Sequence, residues 1–120
     1  MPMYQLSTNL PRAKVDETFA KELSEFVAKT LGKDEKVVTL QVNPDQIMVR
    51  SGSQDPMLHL TVHAFTPNYF TDEIRESMVT SLTPFFSEKL GITDLGRIIL
   101  SFHQVEASHV GIFGKLVSQK

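Results

Sequence analysis

Apolar residues recur along this chain with two alternating periods, and the order of those periods predicts the fold. Residues 3 to 8 read as a short strand of mixed polarity. From about Asp16 to Leu31, Phe19, Leu23, Phe26, Val27 and Leu31 fall at steps of three and four, one face of an amphipathic helix. Gly32 supplies a left-handed stop, and Lys29 and Lys33 suit the negative carboxyl end. The β-branched run from Val37 to Val42 predicts a strand, Asn43-Pro44-Asp45 a turn, and Ile47 to Arg50 a short return strand.

The second half repeats the plan. Ser51-Gly52-Ser53-Gln54-Asp55-Pro56 breaks the pattern, and Leu58 to Phe65 follows as a strand. Thr71 can cap a second helix, with Asp72 and Glu73 in its positive first turn. Ile74, Met78, Leu82, Phe85, Phe86 and Leu90 form its apolar face, Gly91 ends it, and Pro84 should kink it or remove one hydrogen bond. Arg97 to Phe102 is a last strand. Pro2-Met3-Tyr4-Gln5-Leu6-Ser7 echoes Pro56-Met57-Leu58-His59-Leu60-Thr61, and Leu31-Gly32 echoes Leu90-Gly91. The expectation is an α/β (α+β) domain: two βαβ pseudo-repeats forming a mixed four-stranded sheet, with right-handed crossovers placing both helices on one face. Val37, Val38, Ile98, Ile99 and Leu100 suggest that both sheet faces are apolar in places, so oligomerisation is expected to cover the second.

The 120 residues suffice for one domain, 1–120, with its own core. Twelve basic against fourteen acidic residues, a net charge of -2, argue against a nucleic-acid-binding face. Zero cysteines exclude disulfides, thiol catalysis and thiolate metal sites. No apolar run reaches the ~18 residues of a membrane span, and the amino terminus lacks a signal-peptide pattern. The expected location is therefore cytoplasmic, or secreted without that device. His59 and His63 share a strand face but lie about 13 Å apart along it, too far for one zinc ion. No metal or nucleotide cofactor is expected.

Met1-Pro2-Met3, Thr8-Asn9-Leu10-Pro11, Leu31-Gly32-Lys33, Val42-Asn43-Pro44-Asp45-Gln46-Ile47-Met48, Ser51-Gly52-Ser53-Gln54-Asp55-Pro56 and the late Val110-Gly111 occur in this order. Together they resemble the macrophage migration inhibitory factor and D-dopachrome tautomerase family over nearly the whole chain. Gly111-Ile112-Phe113-Gly114 looks closer in outline to the D-dopachrome tautomerase branch. The resemblance implies the tautomerase fold in a homotrimer whose sheets face a central channel. It also implies a cofactor-free keto–enol tautomerase acting on a small aromatic α-keto acid or dopachrome-like substrate. Its base would be Pro2, exposed as a secondary amine after removal of Met1. On the residues alone, Met-Pro is an ordinary start followed by a small residue. Chemically, desolvation and a nearby cation would lower the amine's pKa from its usual ~7.7–8.0 and leave a neutral base.

By the same resemblance Lys33 would hold a substrate carboxylate, the Phe65 amide would orient the substrate, and Val110 and Phe113 would line an apolar wall. Taken alone, Lys33 reads as a helix-end lysine, and Val110 and Phe113 as ordinary packing. Where the best-known member of the family has a tyrosine and an asparagine reaching in from the neighbouring subunit, this chain has Ile99 and Ser101. The usual Ser-Ile-Gly is Ala64-Phe65-Thr66, and a redox cysteine pair is replaced by Met57 and Leu60. These departures leave a second reading open: a secreted, cytokine-like ligand of a cell-surface receptor with a weak or vestigial pocket. A structural trimer with neither activity is the third.

Overall fold

Strand β1 (Pro2–Thr8) alternates strictly: Pro2, Tyr4, Leu6 and Thr8 are buried, while Met3 and Gln5 are exposed. This is the period of a strand with one face on a core. In the computed structural model, which describes residues 2–119, β1 lies inside a four-stranded sheet. The other strands are β2 (Thr39–Asn43), β3 (Leu58–Ala64) and β4 (Ile98–Gln104), in the order β2-β1-β3-β4. β1 pairs with β2 in parallel, β3 with β4 in parallel, and β1 with β3 antiparallel. Each half is thus a βαβ unit, and the two units meet across the central antiparallel pair.

Helix α1 (Glu17–Leu31) starts where the Asp16 carboxylate accepts from the Phe19 amide at 3.1 Å and ends at Gly32, φ 64°. Helix α2 (Asp72–Leu90) is capped by the Thr71 hydroxyl on the Ile74 amide and ends at Gly91, φ 69°. A left-handed C-cap suits glycine, which has no Cβ to clash. Pro84 sits within a helix that continues through it. The carbonyl it leaves without an i+4 donor belongs to Thr80, an exposed residue of the helix. Phe19, Leu23 and Val27 of α1 pack with Met78, Leu82 and Phe86 of α2 against Tyr4, Leu6, Leu58, Leu60 and Val62. Phe26 and Phe85 stack between the helices at 4.4 Å.

Three expectations need correction. Ile47 to Arg50 is not a strand: Ile47 is 94% exposed, and the segment ends in an isolated bridge from Arg50 to Ser53. The chain is diverted before it can return, because Asp45 takes a left-handed φ of 59° and the Asp45 and Gln46 amides donate to Leu10 O and Thr8 O. Val37 belongs to a 3₁₀ turn (Glu35–Val37) and not to β2. The outer sheet face is also less apolar than expected. Ile98 and Leu100 turn inward, and the outer face carries Met3, Gln5, Thr39, Gln41, His59, Thr61, His63, Ile99, Ser101 and His103. After β4 the chain adds a small hairpin that the pattern did not predict, β5 (Gly111–Ile112) with β6 (Lys115–Leu116). Its two-residue turn, Phe113 and Gly114, takes φ of 57° and 77°, the primed geometry that matches strand twist.

The connection between the halves is held by a polar knot. Arg97 is 8% exposed, and its guanidinium donates to the carbonyls of Arg50, Ser53, Asp55 and Pro56 at 2.8–3.2 Å. Asn9 Nδ2 donates to Gln54 O and Asp55 O, and its Oδ1 accepts from the Met57 amide. The Thr8 hydroxyl donates to Met57 O at 2.7 Å. The segment from Ser51 to Pro56 is therefore a tied-down crossover.

Charge-assisted hydrogen bonds of this kind are worth about 1.5–3 kcal/mol each, partly recovered by water when broken. Arg97→Met should lower unfolding stability by about 2–4 kcal/mol, read as a fall in urea midpoint at constant m-value. A change below about 0.5 kcal/mol would mean that the knot is ornamental. Tyr4 should behave in the opposite sense. It is 2% exposed, and its hydroxyl has no hydrogen-bond partner among the described residues. Burial, then the nearby Tyr69, pushes its pKa well above the ordinary phenol value. Tyr4→Phe removes only that oxygen and should raise stability by about 1 kcal/mol in the same titration.

Candidate functional site

Pro2 occupies the buried start of β1, directly opposite Ala64 at the end of β3. Its ring points to the core side, as the alternation requires. Met1, whose removal the base hypothesis needs, lies outside the described residues. The next rung pairs Met3 with His63, both on the outer face. There a cavity of about 520 Å³ opens, walled by Met3, Tyr4, Gln5, Thr39, Gln41, His63, Phe65, Val105 and Val110. Its lining is mostly apolar with a few polar groups, the usual character of a small-molecule site.

The cavity owes its shape to how the end of β4 grips the end of β3. Ala64 O accepts from the Val105 amide at 2.7 Å and from Gln104 Nε2 at 3.1 Å. The same Gln104 nitrogen donates to Thr66 O at 2.8 Å. Phe65 is thereby clamped between two anchored neighbours, and its ring is buried. Val110 is placed by the hairpin behind it, where its carbonyl accepts from the Val117 amide at 2.8 Å.

Of the residues singled out in the sequence, the structure brings Phe65 and Val110 together in this wall and sets Pro2 one residue from it. Lys33 is exposed just beyond α1, its Nζ 5.5 Å from the centre of the Tyr69 ring. That contact is attractive. In the single chain Lys33 does not line the cavity, and neither does Phe113. The latter rides on the hairpin turn, 92% exposed. Ser101 faces outward from β4, its Oγ 2.8 Å from His59 Nε2 and 3.4 Å from His103 Nε2.

Sequence reasoning missed the histidines. His63 stacks on His103 across the β3–β4 rung, ring centres 5.0 Å apart. Burial, then the charge of His103, lowers the His63 pKa from its ordinary value. Measured along one strand, His59 and His63 are remote, and that spacing says nothing of His103, which arrives on the neighbouring strand. The signal available was alternation: positions 101 and 103 share a face, as do 59 and 63. Among the described residues no group of three or more His, Cys, Asp or Glu is arranged to hold a metal ion. Nor is any helix among them long and apolar enough to cross a membrane.

Comparison with known proteins agrees with this architecture. Solved structures of macrophage migration inhibitory factor from Trichinella spiralis and Oncomelania hupensis superpose with TM-scores of 0.82 and 0.85. They are 24% and 22% identical, covering 95% and 98% of this chain and 98% and 84% of theirs, and they establish the fold. In sequence the chain is 32% identical to rat macrophage migration inhibitory factor over 111 residues, 92% of this chain and 94% of the relative. It is 28% identical to mouse D-dopachrome decarboxylase over 118 residues, 98% of each. The family model for macrophage migration inhibitory factor (MIF) matches residues 1–118. On its fold and its sequence alike, the chain belongs to the macrophage migration inhibitory factor family.

Proposed function

We propose that this protein, once Met1 is removed, is a cofactor-free keto–enol tautomerase with Pro2 as its base, working as a homotrimer on a small aromatic α-keto acid or dopachrome-like substrate. The observation that carries the reading is the position of Pro2: the buried first residue of β1, one step from a largely apolar cavity that Phe65 and Val110 wall. An amine there is desolvated, which favours its neutral form. The reaction takes one proton from carbon and returns one to oxygen, so it asks for a base and an orienting site. Lys33, which lies against Tyr69 outside the single-chain cavity, would supply a cation for the substrate carboxylate in the assembled trimer, and the Phe65 amide a backbone donor. With Met1 attached, the Pro2 nitrogen is an amide and no base.

The trimer no longer rests on an apolar outer face. Its support is the family and the large apolar side chains left exposed outside the main sheet, Ile47, Val49, Phe113 and Leu116. The second reading, a secreted receptor ligand of the migration inhibitory factor type, is favoured by Ile99, which can donate no hydrogen bond, and by Ser101, already engaged with two histidines.

Sedimentation equilibrium at micromolar concentration should give three times 13.5 kDa; a monomer would remove any site shared between subunits. Processed protein should tautomerise phenylpyruvate and lose activity on the acid side as the Pro2 amine protonates. Inserting one Ala between Met1 and Pro2 keeps every side chain but makes the Pro2 nitrogen an amide. Activity should then fall by at least about 10²-fold, the low end for loss of a general base. Lys33→Ala should hurt carboxylate substrates more than their esters. Full activity in the insertion variant, with oligomer and melting unchanged, would show that Pro2 is not the base.

A further inference from the structure

Proton abstraction from carbon leaves charge on the carbonyl oxygen, and a second group that supplies a proton there avoids a free enolate. Pro2 cannot do both at once. The cavity wall offers one titratable imidazole for that proton. Met3, Gln5, Thr39, Gln41, Phe65, Val105 and Val110 carry no ionisable group, and the Tyr4 hydroxyl is shut away in the core.

We infer that His63, on the rung next to Pro2 and stacked on His103, is the oxygen-side acid of the reaction. The inference rests on the tautomerase reading and adds a catalytic residue to it. In the keto-to-enol direction the Pro2 nitrogen takes a proton from the carbon beside the carbonyl. The C–H electron pair becomes the C=C bond, the carbonyl π pair moves to oxygen, and that oxygen takes a proton from the His63 imidazolium. Solvent then returns the proton from Pro2 to His63, which closes the cycle with no oxidant or metal.

The surroundings of His63 suit a proton donor. The residue is half-buried, so its charged form is less stable than in water and gives up a proton readily. Among the described residues, the titratable group facing it from β4 is His103, whose charge acts in the same direction. His103 is tied through Ser101 Oγ to His59, further along the face. The outward residues of β1 and β2 (Met3, Gln5, Ser7, Thr39, Gln41, Asn43) carry no charge at any working pH. Beyond β4, Glu106 and His109 lie 3.8 Å from one another on exposed chain. No carboxylate of these elements offsets the two causes that lower the His63 pKa, burial first and then the charge of His103.

Pro2 and His63 should leave separate marks on the pH profile of kcat for keto-acid enolisation: an acid limb from Pro2 and a basic limb from His63, below the ordinary ~6.5 of histidine. His63→Gln should lower kcat by about 10²–10⁴-fold with little change in KM, and should abolish the basic limb. His103→Gln keeps His63 but removes the repelling charge, so the basic limb should move to higher pH while the acid limb stays. Near-parental kcat in His63→Gln, or a basic limb that neither substitution alters, overturns the assignment. If His63→Gln fails to melt cooperatively, the His103→Gln profile decides alone. The Ala-insertion variant separates this assignment from the reading beneath it. An active parent silenced by the insertion but indifferent to His63→Gln leaves Pro2 standing and His63 refuted. A processed parent with no tautomerase activity refutes both.

Discussion

Everything that positions the site follows from the register between β1 and β3. Seven residues of each strand pair antiparallel, from Pro2 opposite Ala64 to Thr8 opposite Leu58. The inward set is Tyr4, Leu6 and Thr8 on one strand and Leu58, Leu60, Val62 and Ala64 on the other, all buried. A one-residue slip of β3 against β1 would turn Leu58, Leu60, Val62 and Ala64 to solvent and bring His59 and His63 into the core, so the register is held by the core itself. Holding it also sets Pro2 beside Ala64 and puts Met3 and His63 on the cavity side.

The two faces of the sheet are electrostatically different environments built from the same strands. The inner face is apolar apart from Tyr4, whose oxygen is left unpaired among the described residues, and Thr8, whose hydroxyl both donates and accepts. The outer face is polar but without fixed charge, its titratable groups being three histidines. A net charge of -2 over the whole chain conceals this clustering of imidazoles on one face.

Several of the residues that carry the family resemblance have structural duties. Asn9 and Thr8 hold the Met57 end of the connection, and the run from Ser51 to Pro56 supplies carbonyls that Arg97 binds. A motif read from sequence as a mark of family is, in the fold, the set of partners needed to close one βαβ unit onto the next. Lys33 and Pro2 have no such side-chain duty among the hydrogen bonds and ion pairs of the described residues, which leaves their chemistry available.

The sequence by itself determined strands β1 to β4, both helices with their apolar faces and glycine stops, and the repeat of one plan in two halves. These depend on local periodicity and on glycine or aspartate at helix ends, and such signals survive without tertiary context. Ile47 to Arg50 has the apolar composition of a return strand but forms no strand, because composition alone does not provide a ladder partner. The hairpin after β4 went unseen because two-residue strands have no period. Only tertiary structure decided which strand neighbours which, and so placed His103 against His63 from 40 residues away in sequence. It also decided that Arg97 would be buried among carbonyls and Phe113 left outside. Contacts across that separation are selected by how two sheet halves pack together, a choice that no window along the chain contains.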